Sequence, residues 1–227
     1  MTTPATKTIY PAPQWMRLLA RPLGLYPEHL HDTDGVREAT ELVYRIFYEE
    51  LGWEPLQPNA SELLADHDAR RFRDRYDRHA IWVGVRDRRG SLVATMRVLD
   101  RGALGKLELE EYYPLPLEMV DRAVEPNRVA VAREARGTIV MALLLHHGCA
   151  IARRLGATRA LGTNSRTIAY GIARRAGWKI TGHSFRYHPG DPEPVHVLRY
   201  DLSVRHQLFV LARTVWGAAR RSLRGAG

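Results

Sequence analysis

The chain has 227 residues, 45% of them hydrophobic and 26% charged, which is enough apolar material to bury a sizeable core and excludes collagen-like, disordered and disulfide-framework classes. Lys and Arg outnumber Asp and Glu by 34 to 25, and 31 of the basic residues are arginine, so the net charge of +9 suits an acidic partner. The single cysteine, Cys149, rules out an internal disulfide and fits a reducing compartment.

The first 34 residues carry Pro4, Pro11, Pro13, Pro22 and Pro27, and read as an arm with one short amphipathic piece around Trp15–Ala20. From Gly35 to Gly52, Val36, Ala39, Leu42, Val43, Ile46, Phe47 and Leu51 recur at helical spacing, and Gly52 ends the helix. The stretch 54–79 is rich in Arg and Asp and reads as a solvated loop with a short helix. Ala80–Arg86 and Ser91–Leu99 are Val-, Ile- and Thr-rich strands around the hairpin turn Asp87-Arg-Arg-Gly90. A strand over Val124–Ala132 precedes a long apolar helix from Thr138 to Leu155, in which Cys149 is expected to be a small buried side chain. A strand at Thr158–Gly162, a helix at Ser165–Arg175 and strands at Trp178–Thr181 and Val195–Asp201 follow. The expected organisation is an arm over 1–34, one domain over 35–202 and a basic amphipathic helix over 203–227. This order describes an α/β (α+β) fold, a mostly antiparallel mixed sheet flanked by helices.

Charged residues interrupt the strand pattern at a few places. Asp74 and Asp77 precede the hairpin, Arg97 lies inside its second strand, and Glu125 and Arg128 open the next one. An unpaired buried charge costs several kcal/mol, so Arg97 must either face solvent or be paired. By spacing alone these residues form sheet-edge salt bridges as readily as a site.

The blocks Arg45-Ile-Phe47-Tyr-Glu-Glu-Leu-Gly-Trp53, Asp74-Arg-Tyr-Asp77, Met96-Arg97-Val-Leu99 and Glu125-Pro-Asn-Arg128-Val-Ala, in that order, resemble the signature blocks of the acyl-homoserine-lactone (autoinducer) synthases. The order of elements also resembles the GNAT acyltransferase fold. The resemblance spans roughly 40–185 and implies transfer of a fatty acyl chain from a thioester to an amine, with S-adenosylmethionine as acceptor and a lactone as product. Such an amine must lose a proton, and its pKa of about 8 puts it within reach of a carboxylate or a water relay. On this reading Glu125 is the base, Asp74 and Asp77 hold the ammonium form, and Arg97 or Arg128 forks onto the acceptor's carboxylate. Phe47 and Trp53 belong to the substrate-binding block, and backbone N–H groups at a bulge within 127–132 hold the oxyanion.

The chain departs from the family pattern at several points. Val43 stands where the family has Arg, Val124 where it has Trp, and Pro126-Asn127 replace the usual middle pair. Tyr113–Glu118 and the stretch from Gly182 to Gly190 look more like sister N-acyltransferases, including long-chain N-acyl amino acid synthases, which form no lactone. A membrane- or partner-binding module on a degenerate acyltransferase fold is the non-enzymatic alternative.

Around Arg133–Ile139 the phosphate-cradling turn has one glycine, Gly137, which suits a phosphopantetheine monophosphate better than the pyrophosphate of CoA. Acyl carrier protein is therefore the expected donor and CoA the alternative, with Arg133, Arg136, Arg153, Arg154, Arg174 and Arg175 expected near the donor mouth. No bound cofactor and no metal are expected: His146 and His147 diverge by about 100° on a helix, and Asp66-His67-Asp68 reads as a loop. Nucleic acid is not an expected partner, since no helix-turn-helix, finger or aromatic platform accompanies the charge. Met1–Pro13 lacks a basic start followed by an apolar run, so a cytoplasmic protein is expected. The tail from 203 to 224 carries an apolar stripe beside arginines and suits either packing on the domain or peripheral contact with an anionic membrane.

Overall fold

A computed structural model describes residues 8–203 except 137, 138, 166, 169, 170 and 172–176. Gly137, Arg174 and Arg175, most of the helix expected at 165–175, and the tail beyond 203 lie outside the described residues. The N-terminal piece is helix α1 (Gln14–Ala20), followed by strand β1 (Tyr26–Leu30) and helix α2 (Thr33–Tyr44), whose last turn continues as a π-helix over Arg45–Glu50. The carboxylate of Asp32 accepts the N–H of Gly35 at 2.6 Å and caps α2, which therefore begins earlier than its apolar stripe. Strands β2 (Leu64–Asp66) and β3 (Arg71–Arg73) form a small hairpin. Strands β4 (Ile81–Arg86) and β5 (Leu92–Asp100) are followed by short helices α3 (Arg101–Leu104), α4 (Leu109–Tyr112) and α5 (Leu117–Val120). Strand β6 (Ala123–Val131), helix α6 (Val140–Arg154) and strands β7 (Arg159–Ser165), β8 (Lys179–Phe185) and β9 (Val195–Asp201) complete the fold.

Seven strands form one sheet in the order β1-β4-β5-β6-β7-β9-β8. The β1–β4, β4–β5, β7–β9 and β8–β9 pairs are antiparallel and β6–β7 is parallel. This is the mixed, mostly antiparallel sheet flanked by helices that the element order implies.

The chain packs as two units. Among the described residues, the first comprises 8–55, Ser61–Leu99 and Pro126–Ile151, and the second Leu56–Ala60, Asp100–Glu125 and 152–203. The core of the first is built from Trp82, Met96, Leu99, Ala39, Val43 and Leu144, all essentially buried. The second buries Leu107, Leu109, Val120, Leu161, Val197 and Leu198.

Two sequence expectations are corrected. The arm is not irregular after Trp15–Ala20, because Tyr26–Leu30 joins the sheet as an edge strand, the one kind of strand in which Pro27 is tolerated. The polar stretch 54–79 is not simply a loop with a short helix. Phe72 and Ala65 bury one face of the β2–β3 hairpin, while Asp66 and Arg73 pair on its solvent side.

Candidate active site

Strand β5 is buried along nearly its whole length, and Arg97 lies within it with no solvent exposure. A guanidinium in that position needs a full set of acceptors. Its Nη1 donates to Asp74 Oδ1 at 2.6 Å and to Asp77 Oδ1 at 2.7 Å, and its Nε donates to Asn127 Oδ1 at 2.8 Å. The Trp82 ring, directly across the β4–β5 ladder, lies 5.8 Å from the guanidinium carbon.

The two aspartates belong to a turn that ties itself together. Asp77 Oδ2 accepts the N–H of Asp74 at 2.9 Å, and Asp74 Oδ1 accepts the N–H of Tyr76 at 2.9 Å. The remaining oxygen of Asp74 accepts from Arg128 Nη2 at 3.0 Å. Burial pushes the Asp74 carboxyl up, but the Arg97 and Arg128 guanidiniums outweigh it and hold the group down at about 2. Asp77 shares Arg97 with an already ionised neighbour, and burial together with the Asp74 charge pushes its carboxyl above the ordinary aspartate range.

Asn127 and Arg128 are consecutive residues of β6, and side chains of a regular strand point to opposite faces. Both nevertheless reach the same cluster. Arg128 adopts φ +51°, a left-handed conformation rare for a residue with a Cβ, so the strand departs from regular geometry there.

Beside the cluster is a small, tightly closed pocket lined by Thr40, Val43, Leu63, Phe72, Asp74, Asp77, Trp82 and Arg128. Its lining sets the apolar Val43, Leu63 and Phe72 beside Thr40, two carboxylates and one arginine. The indole N–H of Trp82 is buried and has no acceptor among the described residues, so an oxygen of a ligand or a water is its natural partner. Val43, the position where the resemblance expects Arg, contributes apolar wall; Arg45, two residues on, is exposed. Phe47 and Trp53 meet edge to face with centroids 5.7 Å apart, and each also contacts Phe72 of the pocket wall. Gly52, at φ +65°, lets the chain turn so that the Trp53 N–H reaches the Phe47 carbonyl at 2.8 Å.

Of the residues singled out in the sequence, Asp74, Asp77, Arg97 and Arg128 therefore come together, with Phe47 and Trp53 at one remove through Phe72. Arg97 has no solvent exposure, and its Nη1 and Nε hold two carboxylates and an amide oxygen, so in this structure it positions the aspartates. Glu125 belongs to the second unit, where its buried carboxylate accepts the N–H of Leu109 at 3.1 Å.

The donor-side arginines are not one group. Arg133 and Arg136 flank the turn before α6, and Arg136 donates to Glu50 at 2.6 Å and to the Val131 carbonyl at 3.0 Å. Arg153 and Arg154 end α6, which at about 1.5 Å per residue puts them roughly 20 Å along the helix from its start. They complement the helix dipole there. Cys149 is half-buried, His147 is bonded to the Tyr10 carbonyl at 3.0 Å, and His67 contacts the Tyr44 hydroxyl at 2.8 Å.

Sequence reasoning missed Trp82, Asn127, Thr40, Leu63 and Phe72. Trp82 and Phe72 were visible only as strand and loop apolar residues, and Asn127 only as a departure from the resemblance.

Comparison with known proteins places these observations. Residues 42–146 match the family model described as the acetyltransferase (GNAT) domain. Among solved structures, TofI, determined in a ternary complex with an inhibitor and MTA, aligns with a TM-score of 0.59 at 20% identity over 83% of this chain and 96% of its own. BjaI, a CoA-dependent acyl-homoserine lactone synthase with SAM and isopentyl-CoA, gives 0.58 at 18% identity over 80% of this chain and 82% of its own. FeeM, an N-acyl amino acid synthase from uncultured soil microbes, gives 0.57 at 14% identity over 78% and 91%. No curated protein matches the chain.

Proposed function

We infer that this chain, a GNAT-fold acyltransferase, moves a fatty acyl group from a carrier thioester to the amine of an amino-acid-type acceptor. The observation that carries the reading is the buried Asp74–Arg97–Asp77 turn with Arg128, beside a pocket lined by that cation, the two carboxylates and Trp82, whose indole N–H has no acceptor among the described residues. Arg128 and Trp82 suit the acceptor's carboxylate, and Asp77, the more exposed aspartate, suits its ammonium. The amine, once deprotonated, attacks the thioester carbonyl, the C–S bond breaks, and the proton taken from nitrogen leaves with the thiol. Glu125 is the base of this reading, acting directly or through water. Backbone N–H groups at the β6 kink suit the oxyanion.

With S-adenosylmethionine as acceptor, the carboxylate then attacks the γ-carbon, expels methylthioadenosine and closes an acyl-homoserine lactone. A second reading, transfer to a free amino acid without lactonisation, is favoured by Val43. The pocket lacks the arginine that the lactone-forming pattern puts there and is apolar at that point. The donor reading is acyl carrier protein, supported by the net charge of +9, with acyl-CoA as the alternative. The placement is cytoplasmic, and no described helix is long and apolar enough to cross a membrane.

Mass spectrometry of lipid extracts from expressing cells tests the reading. An N-acyl product is expected, lost in Glu125→Gln and Arg128→Ala proteins that remain folded. Methylthioadenosine release marks the lactone route, and an open-chain N-acyl amino acid marks the other. Full activity in both variants overturns the site assignment.

A further inference from the structure

We propose that α1 and the turn after it form a docking surface for an anionic lipid layer. Along α1, Met16 and Ala20 face inward and are completely buried. At 100° per residue Leu18 then points directly outward, with Trp15 and Leu19 to one side and Arg17 and Arg21 to the other. These apolar side chains are not covered: Trp15 is 44% exposed, Leu18 64%, Leu19 56% and Leu23, just beyond the helix, 57%. Exposed leucines are ordinary one at a time, but three of them beside the Trp15 ring, all within nine residues, make a patch.

The charge around the patch has one sign. Arg17 and Arg21 are exposed, and Arg88 reaches over from the β4–β5 turn to donate to the Pro22 carbonyl at 3.1 Å, so its charge sits on the same surface. No Asp or Glu occurs from Thr8 to Pro27. Asp87, the carboxylate nearest in sequence to Arg88, is folded back onto the N–H groups of Arg89 and Ser91. Trp and Leu alongside Arg, with no carboxylate, is the pattern of a helix lying in an interface, the apolar side chains below the headgroups and the guanidiniums among phosphates. A second copy of the chain is a poor occupant, because a two-fold contact would set Arg17, Arg21 and Arg88 against their own copies. This surface lies apart in sequence from the basic tail considered above and is independent of the acyl-transfer reading.

Co-sedimentation of the full chain with vesicles tests the proposal. Binding is expected to phosphatidylglycerol-rich vesicles, much less to pure phosphatidylcholine, and to weaken with added salt. The triple variant Trp15→Ser, Leu18→Ser, Leu19→Ser, whose sites are exposed and whose circular dichroism should match the parent, is expected to bind at least about tenfold more weakly. Three results overturn the proposal: no binding by the parent chain; equal binding by the variant, which moves lipid contact elsewhere on the protein; or a dimer that the variant converts to monomer, which makes the face a subunit contact.

Discussion

Arg97 has its charge in a strand with no water beside it, and the structure supplies two carboxylates and an amide oxygen to hold it there. Removing one member of such a group leaves the others buried without compensation, so Arg97→Ala should lose about 3–5 kcal/mol in urea unfolding. Asp74, which bonds both arginines and is itself buried, should cost more as Asn than the partly exposed Asp77. Acid dependence separates the two further. Asp74 is held at about 2 against an ordinary 3.8, so its contribution is fully present above 3.8 and is lost as pH falls toward about 2. Asp77 is pushed up by burial, so its ionisation lowers stability as pH rises through its raised value. Stability of the Asp74→Asn protein should therefore fall less steeply below pH 3.8 than that of the parent, whereas Asp77→Asn should flatten the slope above it. Unfolding curves across this range check both. That Arg97 must be paired was legible from a charge inside an apolar strand. Its function was not, because spacing does not report whether a guanidinium keeps any surface.

At the level of elements, the register of β4 against β5 decides what lies over Arg97. Regular counting from the Arg86–Leu92 pair would set Trp82 opposite Met96, but a shift between Val85 and Arg86 sets it opposite Arg97. No local signal marks that bulge, which is why Trp82 escaped the sequence reading. The φ of +51° at Arg128 is likewise unmarked by local pattern, and with it two successive side chains reach one cluster. Helix α6 rests on β5 where Gly148 leaves room, since a Cβ there would come within 2.3 Å of Met96 Cε. Gly148→Ala should thus destabilise by about 1–3 kcal/mol through overpacking. Because the obstacle is the end of a flexible side chain, adding Met96→Ala should recover part of the loss, measurable as coupling in a double-mutant cycle.

For the molecule as a whole, the charge of +9 bears on the donor rather than on the fold. If an acidic carrier protein delivers the acyl chain, KM for the carrier-bound donor should rise several-fold between low and physiological salt, while KM for the corresponding acyl-CoA should move much less. Equal salt responses would detach the charge from the donor. Arg133, at the turn before α6, is the residue to alter first, because Arg136 is already held by Glu50 and Val131.

The sequence by itself determined the elements whose signal is local: the period of α2, the hairpin turn at Asp87–Gly90, the run of α6 and the strand at Val195–Asp201. It also brought Asp74, Asp77, Arg97 and Arg128 forward together, through order and resemblance. Tertiary structure decided the rest. Tyr26–Leu30 becomes a strand only because β4 offers it an edge, and 64–73 becomes a hairpin only because Phe72 has a core to enter. Arg97 becomes a holder of carboxylates, and Val43 a pocket wall, through neighbours 20 residues or more distant in sequence. Burial and pairing are properties of what the chain packs against, and that information is spread over segments no local pattern connects.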